Sequence, residues 1–248
     1  MRRIAAILIL GIGLALAGCA GNPTRNAAKN ADVNAQMGLR YMQQGNYERS
    51  MDKLERALSF DSEHAAANHY AAILYQRLNR PEDAEDHFRE AIDTSPNDSA
   101  LLNNFGAFLC STGQYDEAEE LFLKVLDDPV YPQRAAVYEN LGLCMKRKGD
   151  LEKAETHLRQ ALSRNTRLAK SLLGMADLSY RKDNYLSARA YLQRYTNVAR
   201  HNPKSLWLGI RVEKVLGDRD ALSSYEIQLK NRFPDSEQAR LLQESEQK

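Results

Sequence analysis

Beyond its first thirty residues, the chain places apolar residues three and four apart, with charged residues between them. That is the stripe of an amphipathic helix, and no stretch alternates apolar and polar residues long enough to argue for a strand. The stretch from Tyr138 to Leu162, YENLGLCMKRKGDLEKAETHLRQAL, shows the unit. Gly142, Ala154 and Ala161 are small and lie among Met145 and Leu158. Small residues let two helix backbones approach closely while large ones fill the grooves beside them. Gly149 stands between the two halves, where a left-handed residue ends a helix at no side-chain cost. The pattern predicts two helices, A and B, packed against each other across a tight turn.

The unit recurs. Gly38, Ala72, Gly106, Gly142 and Ala176 hold the small position of helix A, at intervals of 34, 34, 36 and 34 residues. Twelve residues further on stand Ser50, Ala84, Ala118, Ala154 and Ala188, and four beyond those Leu54, Phe88, Phe122, Leu158 and Leu192. Ala57, Ala91, Val125 and Ala161 follow. A 34-residue helix-turn-helix period with these positions resembles the tetratricopeptide repeat. The resemblance implies an all-α fold: a right-handed superhelix, or solenoid, of about six repeats. The frames are 31–64, 65–98, 99–134, 135–168, 169–202 and 203–236. The third is two residues longer, with Pro129 and Pro132 at its end. In the sixth, Ile210 and Leu222 stand at the small positions, so its packing is expected to differ. Residues 237–248, with Ala239, Leu241 and Leu242 on one face, are expected to form a capping helix and a charged tail.

The N-terminus has a different character. Arg2 and Arg3 precede an apolar run from Ile4 to Ala17, too short to span a bilayer comfortably, which reads as an export signal over 1–18. Leu16-Ala17-Gly18-Cys19 resembles a bacterial lipobox. That resemblance implies cleavage before Cys19, a diacylglycerol thioether and an N-acyl chain on it, and no other cofactor. Ala20 follows in place of the Asp that marks inner-membrane retention, so the resemblance implies the periplasmic face of the outer membrane. The polar residues after Cys19 are expected to be a flexible tether over 19–30.

Composition narrows the function. Charged residues make up 27% of the chain, and Lys and Arg total 34 against 33 Asp and Glu. Without Arg2 and Arg3 the balance is about −1, not the basic surplus of a nucleic-acid footprint. The five histidines form no metal-binding pair, and neither a Gly-rich phosphate loop nor a nucleophile elbow is present. The chain is expected to be a non-enzymatic, monomeric binding protein with no metal, no small-molecule substrate and no nucleic acid.

Cys110 and Cys144 lie on the A helices of adjacent repeats. In an oxidising compartment they could form a disulfide stapling repeats 3 and 4, or stay as buried thiols. In the tetratricopeptide family the A helices line the concave face, and ligand contacts come from positions around the helix-A small residue. Carried onto this chain, these are Leu39, Met42, His69, Ile73, Gln76, Asn103, Ala107, Glu139, Leu143 and Lys146, with Leu173 and Tyr180 beyond. The positions in repeats 1–4 suit a peptide or helix laid in a groove. Ala35, Ala100 and Ala136 stand where a carboxylate-clamp variant would carry charges, which argues against a heat-shock co-chaperone.

The stretches NNFGAFLCSTGQYDEAEELF and YENLGLCMKRKGDLEKAE, with the lipobox and paired cysteines, resemble the type IV pilus pilotins of the PilF/PilW type. That resemblance implies an outer-membrane lipoprotein that helps the type IV pilus secretin reach the outer membrane and multimerise. Two other readings stay open: a scaffold lipoprotein for barrel assembly or a tight-adherence pilus, and a recruiter of a periplasmic hydrolase.

Overall fold

The computed structural model describes residues 23–246, with side chains from residue 26. Among the described residues there are thirteen helices and no strand. They pair in the order of the repeats. α1 (Pro23–Gln43) and α2 (Tyr47–Phe60) form repeat 1, and α3 (Ala65–Arg77) and α4 (Pro81–Thr94) form repeat 2. Repeat 3 is α5 (Ser99–Thr112) with α6 (Tyr115–Leu126), and repeat 4 is α7 (Arg134–Lys148) with α8 (Leu151–Arg164). Repeat 5 is α9 (Ala169–Arg181) with α10 (Tyr185–Thr196), and repeat 6 is α11 (Pro203–Leu216) with α12 (Arg219–Arg232). α13 (Glu237–Glu246) ends the array.

One expected boundary is wrong. The tether expected over 19–30 cannot run that far, because α1 already begins at Pro23. Proline is well placed at a helix start, where its missing N–H would be unpaired anyway. Ala31 and Ala35 on this helix are fully buried, and repeat 1 therefore packs along a first helix of 21 residues. The signal peptide and Cys19 lie outside the described residues.

The turns explain why the period survives changes of sequence. Each A helix ends beside a left-handed residue: Gly45, Asn79, Gly113, Gly149, Asp183 and Gly217. Asn and Asp occupy this conformation more readily than other side-chain-bearing residues, so they substitute for glycine in repeats 2 and 5. Most B helices are then capped from within the turn. Asn46, Asp150, Asn184 and Asp218 each accept a hydrogen bond from the backbone N–H three residues ahead.

Helix pairing rests on the small residues. Ala84, Ala118, Ala154 and Ala188 are fully buried. In the first copy Ser50 fits the same place because its hydroxyl donates to the Gly38 carbonyl at 2.8 Å. Repeat 6 departs from the expected register. Gly209, not the position of Ile210, makes the close approach, with a Cβ there falling 2.9 Å from the Tyr225 ring. Gly209 and Tyr225 are separated along the chain as Gly38 and Leu54 are, but both sit one residue before their expected places. Ile210 turns instead into a terminal core with Leu206, Leu229, Ala239 and Leu242.

The backbone of each A helix closely approaches that of the next A helix, whereas consecutive B helices stand further apart and meet through long side chains, as in Arg89–Glu117 and Lys153–Glu119. The A helices therefore line the tighter, inner face of a right-handed superhelix, and the B helices form its outer face. α13 packs on α11 and α12 as the A helix of a further repeat would, and covers the apolar end.

Candidate partner-binding face

The inner face is laced by polar contacts that run from one A helix to the next. His69 on α3 accepts a hydrogen bond from Asn104 on α5 through Nε2 at 3.0 Å. The Asn140 side chain on α7 donates to Asn103 on α5 at 3.1 Å. Glu139 on α7 accepts from both the backbone N–H and the hydroxyl of Ser171 on α9, at 2.9 and 2.7 Å. Lys146 on α7 meets Asp177 on α9 at 2.8 Å. These bonds tie neighbouring repeats where their backbones alone would leave polar groups facing each other.

Against that arrangement the expected contact residues divide. Leu39, Ile73, Ala107 and Leu143 are half-buried, and Gln76 is exposed, so part of each reaches the surface. Met42 and His69 do not belong to a free face. Met42 is 1% exposed in a core with Leu54, Ala71 and Leu74. His69 is 8% exposed between the Tyr70 and Phe88 rings. Burial depresses its imidazole pKa, opposed by the charge of Asp98. The sequence offset chose these two correctly as helix-A residues but could not show that the helix turns them inward. Asn103, Glu139 and Lys146 are present on the face but already engaged.

Cys110 and Cys144 are joined as a disulfide, with Cα atoms 5.6 Å apart. That separation lies within the span a disulfide bridges without moving the backbone. The bridge ties α5 to α7 beneath the inner face. Above it opens a pocket of about 300 Å³ lined by Ala107, Asn140, Leu143, Arg147 and Lys170. A second pocket of about 270 Å³ follows at the C-terminal end, lined by Lys146, Leu173, Asp177, Lys204, Trp207 and Arg211, with Gln238 from α13.

Asp177, Trp207, Arg211 and Lys204 were missed by sequence reasoning. The first three stand in repeats 5 and 6 at the offsets used in repeats 1–4, counted from Ala176 and from the expected position Ile210. Extending that rule would have found them. Gln238 had no such signal, because only the docking of α13 brings it there.

Repeat 1 carries a separate apolar surface. Val33, Met37, Tyr47 and Phe60 are each more than a third exposed, and Leu78 of repeat 2 is 39% exposed. Tyr47, Met51 and Leu78 border a shallow, open depression between α2 and the end of α3. Among the described residues no helix is long and apolar enough to cross a membrane, and no group of three His, Cys, Asp or Glu could hold a metal.

Paired helices, left-handed turns and a laced inner face define a tetratricopeptide repeat protein. Tetratricopeptide repeat profiles match residues 36–99 and 98–167. The chain is 34% identical over 241 residues to the type IV pilus assembly protein PilF of Pseudomonas aeruginosa, covering 94% of this chain and 95% of that one. A solved structure of Pseudomonas aeruginosa PilF superposes with a TM-score of 0.80 at 34% identity, over 89% of this chain and 99% of that one. The crystal structure of PilW, described as a widely conserved type IV pilus biogenesis factor, gives 0.79 at 28% identity, over 86% and 97%. The chain belongs to the PilF/PilW-type family of tetratricopeptide repeat proteins.

Proposed function

We propose that this protein is an outer-membrane lipoprotein pilotin of type IV pilus biogenesis. It binds the pilus secretin, brings it to the outer membrane and promotes its multimerisation, without turnover and without a cofactor. The observation that carries the reading is the similarity to PilF, which runs along 94% of the chain. The lipobox around Cys19 supports a covalent diacylglycerol and N-acyl anchor. More than one acyl chain is needed for stable anchoring, since each buried methylene contributes about 0.8 kcal/mol. Coupling anchor to repeat array raises the local concentration of secretin subunits at the membrane, which favours ring assembly by a monomeric helper.

The secretin contact lies on the repeat array. Its inner face offers Leu39, Ile73 and Leu143, and the depression between repeats 1 and 2 offers Tyr47, Met51 and Leu78. The test is the level of secretin multimers and of surface pili in a deletion strain. Secretin should remain present but largely unassembled, and pili should be lost; normal multimers would end the pilotin reading. Complementation with Ile73→Glu and Leu143→Glu should lower multimers if the inner face carries the contact. Loss with Tyr47→Glu and Leu78→Glu alone would place it on the depression between repeats 1 and 2. A carboxylate in an apolar contact must be desolvated without a partner, which a bound peptide does not repay.

A further inference from the structure

We infer that the C-terminal half of the inner face is a docking groove for a second ligand, a peptide segment of another protein that alternates carboxylate and large apolar side chains. The two pockets form one strip, because α7 and α9 line both, with α5 completing the first and α11 the second. Leu143 and Lys146 lie one turn apart on α7, and Lys170 and Leu173 one turn apart on α9. Its floor is apolar: Ala107, Leu143, Leu173, Trp207 and Leu208. Its rim is cationic. Arg147, Lys170, Lys146, Lys204 and Arg211 line it against a single carboxylate, Asp177. In a chain whose charges otherwise nearly cancel, this is a local surplus that selects an acidic partner.

Of the five cations, Asp177 hydrogen-bonds only Lys146. Its Oδ2 is already taken by Lys146 at 2.8 Å and Arg181 at 3.1 Å, while Arg211 stands 4.0 Å from Oδ1, beyond hydrogen-bond length. Arg211 is instead held by aromatic rings, 4.5 Å from the Tyr180 centroid and 6.0 Å from that of Trp207. Its buried Nε has no hydrogen-bond partner among the described residues. A guanidinium fixed by rings, with its donors uncommitted, is preorganised for a carboxylate. Trp207 beside it supplies an apolar wall for the neighbouring side chain of the same peptide. None of the α13 carboxylates lines the groove: Glu237 borders a different depression with Arg240 and Gln243, Glu244 stands 3.8 Å from Arg240, and Glu246 pairs with Lys230. Gln238 closes the groove at that end, so an occupant lies across α5 to α11 rather than running past the cap.

Trp207 is the chain's sole tryptophan, so its fluorescence reads occupancy directly. The full chain in non-ionic detergent is titrated with a twelve-residue blocked peptide of alternating Glu and Leu, and with its Gln and Leu counterpart. The acidic peptide should give a saturable change, and the neutral one should bind about tenfold more weakly or worse. Binding should weaken as salt rises. Lys204→Gln should weaken the acidic peptide several-fold and Arg211→Gln about tenfold, with unchanged circular dichroism. Lys204 is exposed, so its variant keeps the test sound if Arg211→Gln loosens the fold. Equal affinity for both peptides, or no effect of either substitution, overturns the proposal. So does a fluorescence change that phosphatidylglycerol vesicles reproduce, or one that grows with protein concentration alone and tracks dimer formation. None of these outcomes bears on secretin multimers in cells, so the pilotin reading stands or falls separately.

Discussion

A Cβ added to Gly142 would lie 2.8 Å from Leu158 Cγ and 2.9 Å from the Leu158 backbone nitrogen. At Gly38 the short contacts are with the Leu54 side chain alone, at 2.6 and 2.7 Å, and the nearest backbone atom is 3.4 Å away. A side chain can rotate aside, but a helix backbone moves only with its helix. The two glycines look equivalent in sequence and are not equivalent in tolerance.

Gly142→Ala is therefore expected to destabilise more than Gly38→Ala. Overpacking that shifts backbone costs about 1–3 kcal/mol, partly offset by the better helix propensity of alanine. Urea unfolding of both variants checks the order. A larger loss for Gly38→Ala would show that Leu54 has no room to move.

Removing the Cys110–Cys144 bridge should lower stability. Closing a loop across 34 residues restrains the unfolded chain by roughly 3–4 kcal/mol on the chain-entropy model. Cys110→Ser/Cys144→Ser should unfold at lower urea, with helix content retained before the transition. Thiol labelling of the denatured, non-reduced parent should find neither cysteine free.

Arg189 on α10 makes two bonds to Glu213 on α11, one of them at 2.9 Å. Glu213 is only 2% exposed. Arg189→Ala would leave a buried carboxylate without its partner, at a cost of about 3 kcal/mol. Replacing both residues with apolar ones, Arg189→Met/Glu213→Leu, should recover much of that loss. Thermal melts of the three proteins test the coupling between repeats 5 and 6.

Acid should weaken the fold, and two of its four depressed imidazoles, His69 and His87, lie in the second repeat. Burial holds the imidazoles of His69 and His87 below their ordinary pKa, opposed by Asp98 at His69 and by Asp83, Asp86 and Glu90 at His87. The unfolded chain takes up these protons from about pH 6.5 downward, and the folded chain only at lower pH. Their contribution is therefore complete above about pH 6.5 and is lost as pH falls through the folded values. The melting temperature should drop between pH 7.5 and 5.5, and His69→Gln should flatten that drop. An unchanged slope in the variant would show that His69 does not couple protonation to unfolding.

The sequence by itself determined the repeat. A 34-residue spacing of small and large residues suffices because each repeat packs mainly on its neighbours, and local periodicity then fixes both the helices and their pairing. It also placed Cys110 and Cys144 on adjacent A helices, which is a matter of counting along helices. What it could not supply was the rotation of each helix about its own axis. That rotation turned Met42 and His69 inward, put Gly209 rather than Ile210 against Tyr225, and raised Asp177 and Arg211 onto one rim. Rotation is settled by the fit of side chains across helices distant in sequence, and no single repeat contains that information. The start of α1 at Pro23 belongs to the same class: polar residues read as a tether until Ala31 is buried and Ala35 packs with Ala57 and with Ala67 of the second repeat. The cationic groove likewise exists only once α7, α9 and α11 have stacked, because its five cations come from those three helices, and α13 adds only Gln238 at its end.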